Sequence, residues 1–226
     1  MKILALNASP RKDKGTTDIL LDHFLEATDA ETTKHYITDL DIKGCMGCFN
    51  CWTKTPGKCI HTDDMQMIIQ QYAESDLLIL ATPIYNGTIT HYLQKLMERF
   101  LPTALPYQVK HGDQTRHPRR IQIKPPKTVL IATAGFPDHQ AFNIAKQLYP
   151  NSLHITLPAA QNLTTPSLRK HLQPFLDAVT EAAKQLTTTG TVDPQLASQL
   201  QYQYSEEMRQ AIRDGANTYF DSQIKE

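Results

Sequence analysis

Four cysteines form the densest cluster of chemically reactive side chains in the sequence. They are the only cysteines in the chain, they follow the spacing C-x2-C-x2-C-x7-C, and they are Cys45, Cys48, Cys51 and Cys59. Three thiolates at successive three-residue steps can wrap a cube of iron and sulfide, and a fourth can close it. Zinc also accepts four thiolates, although its usual pattern is two separated C-x2-C pairs. A redox-active disulfide between two of the thiols, or four inert thiols, are the other interpretations that the spacing leaves open.

The N-terminal turn is the second stretch with the residue types for chemistry. An apolar run at residues 3–7 leads into a short loop and then into a helix that starts near Thr17. Backbone N–H groups at the start of a helix bind anions, and phosphate is the usual one. The side chains that can donate to a phosphate there are Ser9, Arg11, Thr16 and Thr17. The alternative is that the hydroxyls only cap the helix.

The absence of two known sequence patterns narrows the kind of phosphorylated ligand that the turn could bind. The turn has neither the GxGxxG pattern of dinucleotide folds nor the GKT or GKS of a P-loop. Gly15 permits close backbone approach at the end of the loop. The turn therefore favours a mononucleotide phosphate over a dinucleotide or a nucleoside triphosphate.

Two later loops follow predicted strands and carry residues suited to a flat aromatic ligand. One spans residues 82–88 and the other spans residues 133–137, and each contains a proline, a glycine and an aromatic residue. Backbone amides in such loops can donate to the polar edge of a flavin ring, and Tyr85 or Phe136 can lie against the ring. Simple packing is the alternative for each aromatic residue.

Alternating strand-like and helix-like segments predict the elements that would position these loops. The predicted strands are residues 3–7, 34–38, 76–82, 127–133 and 153–157. Helical patterns separate them, which implies a parallel sheet with helices on both faces. We therefore predict an α/β protein with a flavodoxin-like, doubly wound, five-stranded parallel sheet of order 2-1-3-4-5. In such sheets the ligand lies at the carboxyl ends of the strands.

The predicted domain spans residues 1–190, and a C-terminal helical extension spans residues 191–226. The domain includes the cysteine loop, residues 44–60, and a proline-rich excursion loop, residues 102–126. We expect the extension to pack on the domain or on a partner subunit, and Trp52 offers further surface for subunit contact or for packing inside the cysteine loop.

Composition excludes several classes of protein. Lys plus Arg and Asp plus Glu both total 23, so the net charge is zero and nucleic acid is not an expected partner. No apolar run is long enough for a membrane span, and no secretory signal is visible, so we predict a cytoplasmic protein without a membrane partner. In that compartment the cysteines should be thiols or metal ligands rather than structural disulfides.

These motifs together resemble the flavodoxin-like NADPH-dependent FMN reductase family, in particular its cysteine-bearing branch, the iron–sulfur flavoproteins. The segment from Asn7 to Lys12, followed by Gly15 to Thr17, is similar to the family's phosphate loop, with Ala8 where glycine is usual. The two later loops are similar to the family's flavin-ring loops. The cysteine segment, continuing to residues 63–65, is similar to that of the branch.

The resemblance implies a set of cofactor-binding residues on the same loops. Lys12 joins the phosphate-binding residues already named. The implied ring-binding residues are Pro83, Ile84, Tyr85, Asn86, Gly87, Thr133, Ala134, Gly135 and Phe136. The implied cofactor is non-covalent FMN with NAD(P)H as co-substrate, and a [4Fe-4S] cluster on the four cysteines is an open addition.

The implied activity is an NAD(P)H-dependent flavin oxidoreductase that passes electrons to a quinone, a second flavin or an iron–sulfur centre. No side chain is predicted to be a general acid or base, because hydride transfer does not require one. The expected partners are small-molecule or protein electron donors and acceptors, and relatives suggest a homodimer or homotetramer. A non-catalytic flavodoxin-like electron carrier and a zinc-stapled scaffold protein are the two alternatives.

Overall fold

A five-stranded parallel sheet forms the centre of the molecule in the computed structural model, which describes residues 1–120 and 125–224. The strands are β1 (Lys2–Asn7), β2 (Glu31–Tyr36), β3 (Leu77–Pro83), β4 (Val109–His111), β5 (Gln114–Arg116), β6 (Lys127–Thr133) and β7 (Leu153–Leu157). The sheet order is β2-β1-β3-β6-β7, and β4 and β5 form a separate antiparallel hairpin. The predicted flavodoxin-like fold and strand order are confirmed.

Helices flank the sheet on both sides. They are α1 (Thr16–Leu25), α2 (Asn50–Thr53), α3 (Met65–Glu74), α4 (His91–Glu98), α5 (Asn143–Leu148), α6 (Pro166–Arg169), α7 (Gln173–Thr189), α8 (Pro194–Gln199) and α9 (Glu206–Gln223). Among the residues described, no helix combines the length and the apolar character needed to cross a bilayer.

The central strands are apolar because both of their faces are covered. Successive side chains of a strand point to opposite faces. In β3, Leu77 and Ile79 pack in one core with α1 and α7, whereas Leu78 and Leu80 pack in the other with α3, α4 and α5. This two-sided burial explains the unbroken apolar run that predicted the strand.

Strand β2 lies at the sheet edge and begins earlier than the predicted residues 34–38. Each of its residues pairs with one residue of β1, from Glu31 opposite Lys2 to Tyr36 opposite Asn7. The length of β1 therefore sets the bounds of β2. The polar sequence of β2 gave no sign of this earlier start, because an edge strand needs little apolar surface.

Helix α4 ends sooner than the predicted residues 91–101. Its last residue is Glu98, and a short 3-10 turn follows at Leu101–Thr103. Pro102 lacks the backbone N–H that would continue the helix. Thr90 caps the other end, where its hydroxyl accepts a hydrogen bond from the Leu93 amide at 3.5 Å.

The excursion loop and the C-terminal extension are only partly described, because residues 121–124 and 225–226 lie outside the described residues. The β4–β5 hairpin falls within the excursion loop. In the tail, the Thr156 amide donates to the Leu200 carbonyl, and the Tyr202 amide donates to the Thr156 carbonyl. Leu200 and Tyr204 are buried, so this part of the tail packs on β7, whereas α9 contributes no buried residue.

Candidate functional site

The three loops singled out in the sequence meet at the carboxyl ends of β1, β3 and β6, which are neighbours in the sheet. The Ala8 amide donates to the Ala81 carbonyl at 2.7 Å, and the Ile84 amide donates to the Thr133 carbonyl at 2.7 Å. The Thr90 hydroxyl donates back to the Ala8 carbonyl at 3.1 Å. These bonds join the three loops into one surface, here called the flavin edge.

The loop after β1 leaves helix-start amides free for an anion. Within residues 1–120 and 125–224, no acceptor meets the backbone N–H of Thr16 or Thr17, the first residues of α1. The Arg11 amide donates to the Ser9 hydroxyl at 3.3 Å. A Cβ added at Gly15 would lie 2.8 Å from that hydroxyl oxygen, so the compact loop itself requires glycine there.

A buried polar anchor holds this loop from below, and the sequence analysis missed it. The Asn7 side-chain NH₂ donates to the Asp18 carboxylate at 2.7 Å, and the Asn7 side-chain oxygen Oδ1 accepts from the Ser9 backbone amide at 2.8 Å. Asp18 is buried and also accepts from Tyr36 and Lys34. An asparagine that ends a buried strand, followed by an acid in the next helix, is the signal that could have revealed the anchor.

The positive charge of Lys34 balances the buried carboxylate of this anchor. Burial alone lowers the pKa of Lys34, but hydrogen bonds and the charges of Asp18 and Asp22 raise it above its ordinary value. Lys34 therefore stays positive beside Asp18, and the anchor carries no unpaired buried charge.

The charged and hydroxyl residues of the loop point in different directions. Lys12 adopts a left-handed backbone conformation, and its ammonium group pairs with Asp39. Arg11 and Lys14 are both exposed, so the loop presents two cations to solvent. The buried Thr17 hydroxyl shares a 2.7 Å hydrogen bond with the Thr133 hydroxyl. Of the predicted phosphate-binding residues, Lys12 is thus the one already paired with a carboxylate.

The loop after β3 turns back tightly through Asn86 and Gly87. Both residues have positive φ, and Tyr85 and Thr88 exchange backbone hydrogen bonds of 2.9 and 3.1 Å. This is the geometry of a type I′ turn, which favours Asn-Gly. Within the described part of the chain, no acceptor meets the amides of Asn86 and Gly87.

The loop after β6 also has backbone N–H groups without an acceptor in the described part of the chain. The amides of Gly135 and Phe136 have no acceptor among residues 1–120 and 125–224. The Phe136 ring is 75% exposed and the Tyr85 ring is 48% exposed, so both aromatic faces are available to a ligand. Free donors, exposed rings and an anion-binding helix start fit a mononucleotide with an aromatic head, and therefore fit FMN.

The four cysteines line a single cleft. Cys45 and Cys48 are exposed, Cys59 is half-buried and Cys51 is buried. Burial raises the pKa of the Cys51 thiol, and the neighbouring cysteines raise it further, with Cys59 the largest contributor among them. A bare cleft therefore disfavours a Cys51 thiolate, and a bound cation would favour it.

The cleft is not arranged around one ion. No three His, Cys, Asp or Glu side chains among the described residues converge closely enough to hold a metal ion. Four sulfurs around one zinc must lie within about 4 Å of each other, because each Zn–S bond is about 2.3 Å. The four thiols and their shared cleft are the donor set of an iron–sulfur group.

A buried ion pair closes the base of the cysteine loop. Arg99 donates to both carboxylate oxygens of Asp63, at 2.6 and 2.9 Å, and to the Lys43 carbonyl at 2.6 Å. The Lys43 amide also donates to Asp63 at 3.0 Å. Both ion-pair side chains are 1% exposed. The pair therefore joins the residues that enter and leave the cysteine loop.

The pair also changes the protonation of Asp63. Burial raises the pKa of this carboxyl, but hydrogen bonds from Arg99 and from the Lys43 and Met65 amides outweigh it and lower the pKa to about 2. The sequence analysis placed this acid only in the segment that follows the cysteines, without a partner. Its carboxylate does accept from the Met65 amide at 3.2 Å, but its main partner lies at the far end of α4.

Trp52 fixes the outer side of the cysteine loop. Its indole N–H donates to the Leu101 carbonyl at 3.2 Å, and its ring contacts His117 with centroids 4.7 Å apart. The ring of Phe49 lies 5.2 Å from it on the cysteine loop itself. Trp52 therefore links the cysteine loop to the turn after α4 and to the segment after β5.

Comparison with known proteins places this site in a family. The family described as NADPH-dependent FMN reductase matches residues 1–154. An iron-sulfur flavoprotein of Methanocaldococcus jannaschii is 32% identical over 114 residues, which cover 49% of this chain and 58% of that protein. An iron-sulfur flavoprotein of Archaeoglobus fulgidus is 35% identical over 105 residues, which cover 45% of this chain and 46% of that protein. The chain thus spans about half the length of these curated relatives.

Solved structures support the fold. The NAD(P)H:quinone oxidoreductase from Methanothermobacter marburgensis has a TM-score of 0.59 at 15% identity, covering 83% of this chain and 97% of that one. An FMN-dependent NADH-azoreductase from Bacillus anthracis, in complex with FMN, has a TM-score of 0.58 at 16% identity, covering 82% and 98%. The sequence match, the sheet order and the site geometry agree, and this chain belongs to the NADPH-dependent FMN reductase family, whose members are oxidoreductases.

Proposed function

We propose that the chain is an FMN-dependent NAD(P)H oxidoreductase that passes electrons to a quinone, a flavin or an iron–sulfur acceptor. The observation that carries the proposal is the set of backbone N–H groups on the three adjacent loops of the flavin edge that have no acceptor among the described residues. Family membership supports it, as do the structural neighbours named as quinone oxidoreductase and azoreductase.

Different residues of the flavin edge would bind different parts of FMN. The amides of Thr16 and Thr17 would donate to the phosphate, and Arg11 would supply the balancing positive charge. The amides of Asn86 and Gly135 would donate to the polar edge of the ring. When bound, FMN supplies hydride acceptance from the reduced nicotinamide and electron release to the acceptor.

We further propose that the four cysteines hold a [4Fe-4S] cluster. Their position around one cleft supports this, as does the name iron-sulfur flavoprotein carried by the relatives. The eight-residue helix α4 begins beside the loops of the flavin edge and ends at the cysteine cleft. At about 1.5 Å per residue it is about 12 Å long, which sets the scale of the separation between the two sites.

The decisive experiment is performed on protein purified without oxygen. After reconstitution with FMN, the visible spectrum should contain bound-flavin bands, and NADPH should be oxidised in the presence of benzoquinone. Bound flavin without NADPH or NADH oxidation would contradict the enzyme and favour the electron carrier. No flavin binding at saturating FMN would overturn both.

Elemental analysis tests the cysteine assignment separately. Iron with an equal amount of acid-labile sulfide is the expected result, and it should disappear in Cys51→Ser. Stoichiometric zinc would instead support the stapled scaffold. Protein with flavin but neither metal would leave the oxidoreductase standing and remove the cluster.

We also propose that two copies associate through α9. This helix exposes the apolar side chains of Met208, Tyr219 and Phe220, and the exposed Ile224 follows its last residue. Large exposed apolar side chains on one helix are typical of an interface. Sedimentation equilibrium should give a dimer or a tetramer, and Phe220→Lys should shift it toward the monomer. A wild-type monomer would contradict the proposal.

A further inference from the structure

The cysteine loop and the excursion loop share a charge pattern that the flavin edge does not use. Residues 43–61 contain three lysines and no acid, and residues 104–120 contain four cations and one acid, Asp113. The two segments thus hold seven of the chain's 23 cations and one of its 23 acids, which leaves 16 cations and 22 acids for the rest. The chain is neutral as a whole, but its charge is strongly segregated.

Contacts join the two segments into one surface, here called the basic face and defined as residues 43–61 and 104–120. The ring of Trp52 packs against His117, with centroids 4.7 Å apart. A Cβ added at Gly57 would lie 3.1 Å from Cδ of Arg120, so the Arg120 stem packs directly on the cysteine loop. The hairpin of the excursion loop is therefore held beside the cysteines.

The cations of the basic face have no carboxylate partner within the described part of the chain. All are exposed except Arg120, which is half-buried, and they are Lys43, Lys54, Lys58, Lys110, Arg116, Arg119 and Arg120. The acids nearest in the fold are Asp113 in the hairpin turn and Glu98, which lines the cysteine cleft. Like charges gathered on one surface repel each other, so a partner of opposite charge would be attracted to it.

Exposed apolar side chains lie among these cations. Met46 is 65% exposed, Phe49 is 49% exposed and Ile60 is 42% exposed, and all three line the same cleft as the four cysteines. An apolar centre with a charged rim is the anatomy of a protein–protein interface, in which methionine, aromatic residues and arginine are enriched. A phosphate backbone would use the cations but not Met46 or Ile60. The combination therefore favours a protein.

We propose that the basic face docks an acidic electron-carrier protein, whose apolar contact surface covers Met46, Phe49 and Ile60. The electron-transfer part rests on the proposed function, and it names the class of acceptor. Oxidation of one NAD(P)H releases a proton and two electrons, which leave through the cysteine-held cluster and reduce two carriers by one electron each. Cys45 and Cys48 are exposed, so a docked carrier would lie directly against two of the cluster ligands.

A second copy of this chain is a poorer occupant of the basic face. A two-fold contact uses the same surface on both subunits and would place the seven cations against seven others. An acidic carrier meets no such repulsion. Its docking should be transient and sensitive to salt, as is typical of redox partners that are steered by charge.

Docking is tested on metal-free protein by titration calorimetry with an acidic flavodoxin, at about 20 mM salt. Lys54→Glu/Arg116→Glu reverses one exposed cation on each segment and should raise the Kd about tenfold. The difference should vanish at about 0.5 M salt, where charges are screened within a few ångströms. The matched control is Lys170→Glu/Lys184→Glu, two exposed lysines beside and within α7 on the other side of the sheet, and it should leave the Kd unchanged.

Met46→Ala tests the apolar centre separately. It should raise the Kd about fivefold at both salt concentrations, because the lost contact is apolar and does not depend on screening. A Kd that changes only at low salt would show that Met46 does not contact the carrier.

Three results would overturn the docking proposal. They are wild-type protein that binds no flavodoxin at low salt, equal Kd values for wild type and Lys54→Glu/Arg116→Glu, and tighter binding of a DNA duplex than of flavodoxin through the same two cations. Self-association that Lys54→Glu/Arg116→Glu abolishes in sedimentation would assign the basic face to a second copy, and would overturn the proposal as well.

Electron transfer is tested after reconstitution with FMN, iron and sulfide, with NADPH in excess and flavodoxin limiting. Lys54→Glu/Arg116→Glu should slow flavodoxin reduction about tenfold at low salt and leave benzoquinone reduction unchanged, because a small uncharged acceptor needs no docking. Equal flavodoxin reduction by both proteins would overturn the inference alone. Wild-type protein that reduces neither acceptor would contradict the proposed function, and the calorimetry would then decide the docking by itself.

Discussion

The flavin edge and the cysteine cleft are built from different parts of the chain, the first from its backbone and the second from its side chains. The flavin edge is built from backbone N–H groups, and its position follows from the order of three neighbouring strands. The cysteine cleft is built from side chains, and it depends on an ion pair between residues 36 positions apart in the chain. The first site is therefore a property of the fold, whereas the second is a property of particular residues placed on it.

This difference has an energetic consequence. The flavin edge presents its donors from the backbone, so apart from the Asn7–Asp18 anchor and Gly15 it depends on few side chains. A loop held by a buried ion pair depends on both side chains of the pair, because removal of one partner leaves an uncompensated charge. Substitutions should therefore act on stability at the cleft and on ligand affinity at the flavin edge.

The largest expected effect comes from Asp63→Asn. Arg99 would remain buried without its counter-charge, and the free energy of unfolding should fall by about 3 kcal/mol. Urea denaturation measures this change. Asp138→Asn, which removes an exposed carboxylate 3.9 Å from Arg213, is the control and should stay within about 0.5 kcal/mol. Equal effects of the two variants would mean that the cleft does not depend on its ion pair.

Acid should weaken the same contact. The pKa of Asp63 falls from an ordinary 3.8 to about 2 in the folded protein, so the unfolded state binds more protons in this range. The stabilisation is complete above about pH 5 and is lost as the pH falls through 2, for a total of about 2 kcal/mol. Denaturation curves at pH 5 and pH 2.5 should differ less in Asp63→Asn than in wild type. A difference of the same size in both proteins would contradict this assignment.

At the flavin edge, Gly15→Ala should weaken ligand binding. The added Cβ would approach the Ser9 hydroxyl to 2.8 Å and displace the loop that leads to the free amides of α1. We expect the dissociation constant for FMN to rise about tenfold, which is about 1.4 kcal/mol. Quenching of flavin fluorescence gives the constant. Gly215→Ala, where an added Cβ meets nothing within 4 Å, should leave it unchanged.

The smallest effect expected is that of Phe136→Ala. The ring is mostly exposed, so its removal should change the free energy of unfolding by less than about 0.5 kcal/mol. If the ring lies against the flavin, its loss should weaken FMN binding about fivefold, as is usual for one aromatic contact. Urea denaturation and fluorescence titration are measured on the same samples. A loss of stability without a loss of affinity would show that the ring packs on the protein instead.

The two regions also differ in how far sequence reasoning could reach them. The apolar runs of β3 and β6 and the turn residues Asn86 and Gly87 express local preferences, so the fold and the flavin edge could be predicted. The pairing of Asp63 with Arg99 could not, because nothing local distinguishes an acid at a helix start from an acid that reaches another helix. Asn7 and Asp18 were also missed, although an asparagine at a strand end before an acid in the next helix is a local signal for the pair.

In the hydrogen bond between the hydroxyls of Thr17 and Thr133, the choice of donor depends on what else Thr17 donates to. Each hydroxyl has one proton to give. Once Thr17 directs its proton toward an anion, the bond between the two residues can only be made with the proton of Thr133. Thr133 then has only lone pairs to offer on its other side, so its next neighbour must be a donor, as the N–H of a bound heterocycle is. Anion binding at Thr17 would in this way decide which kind of ligand group Thr133 can accept.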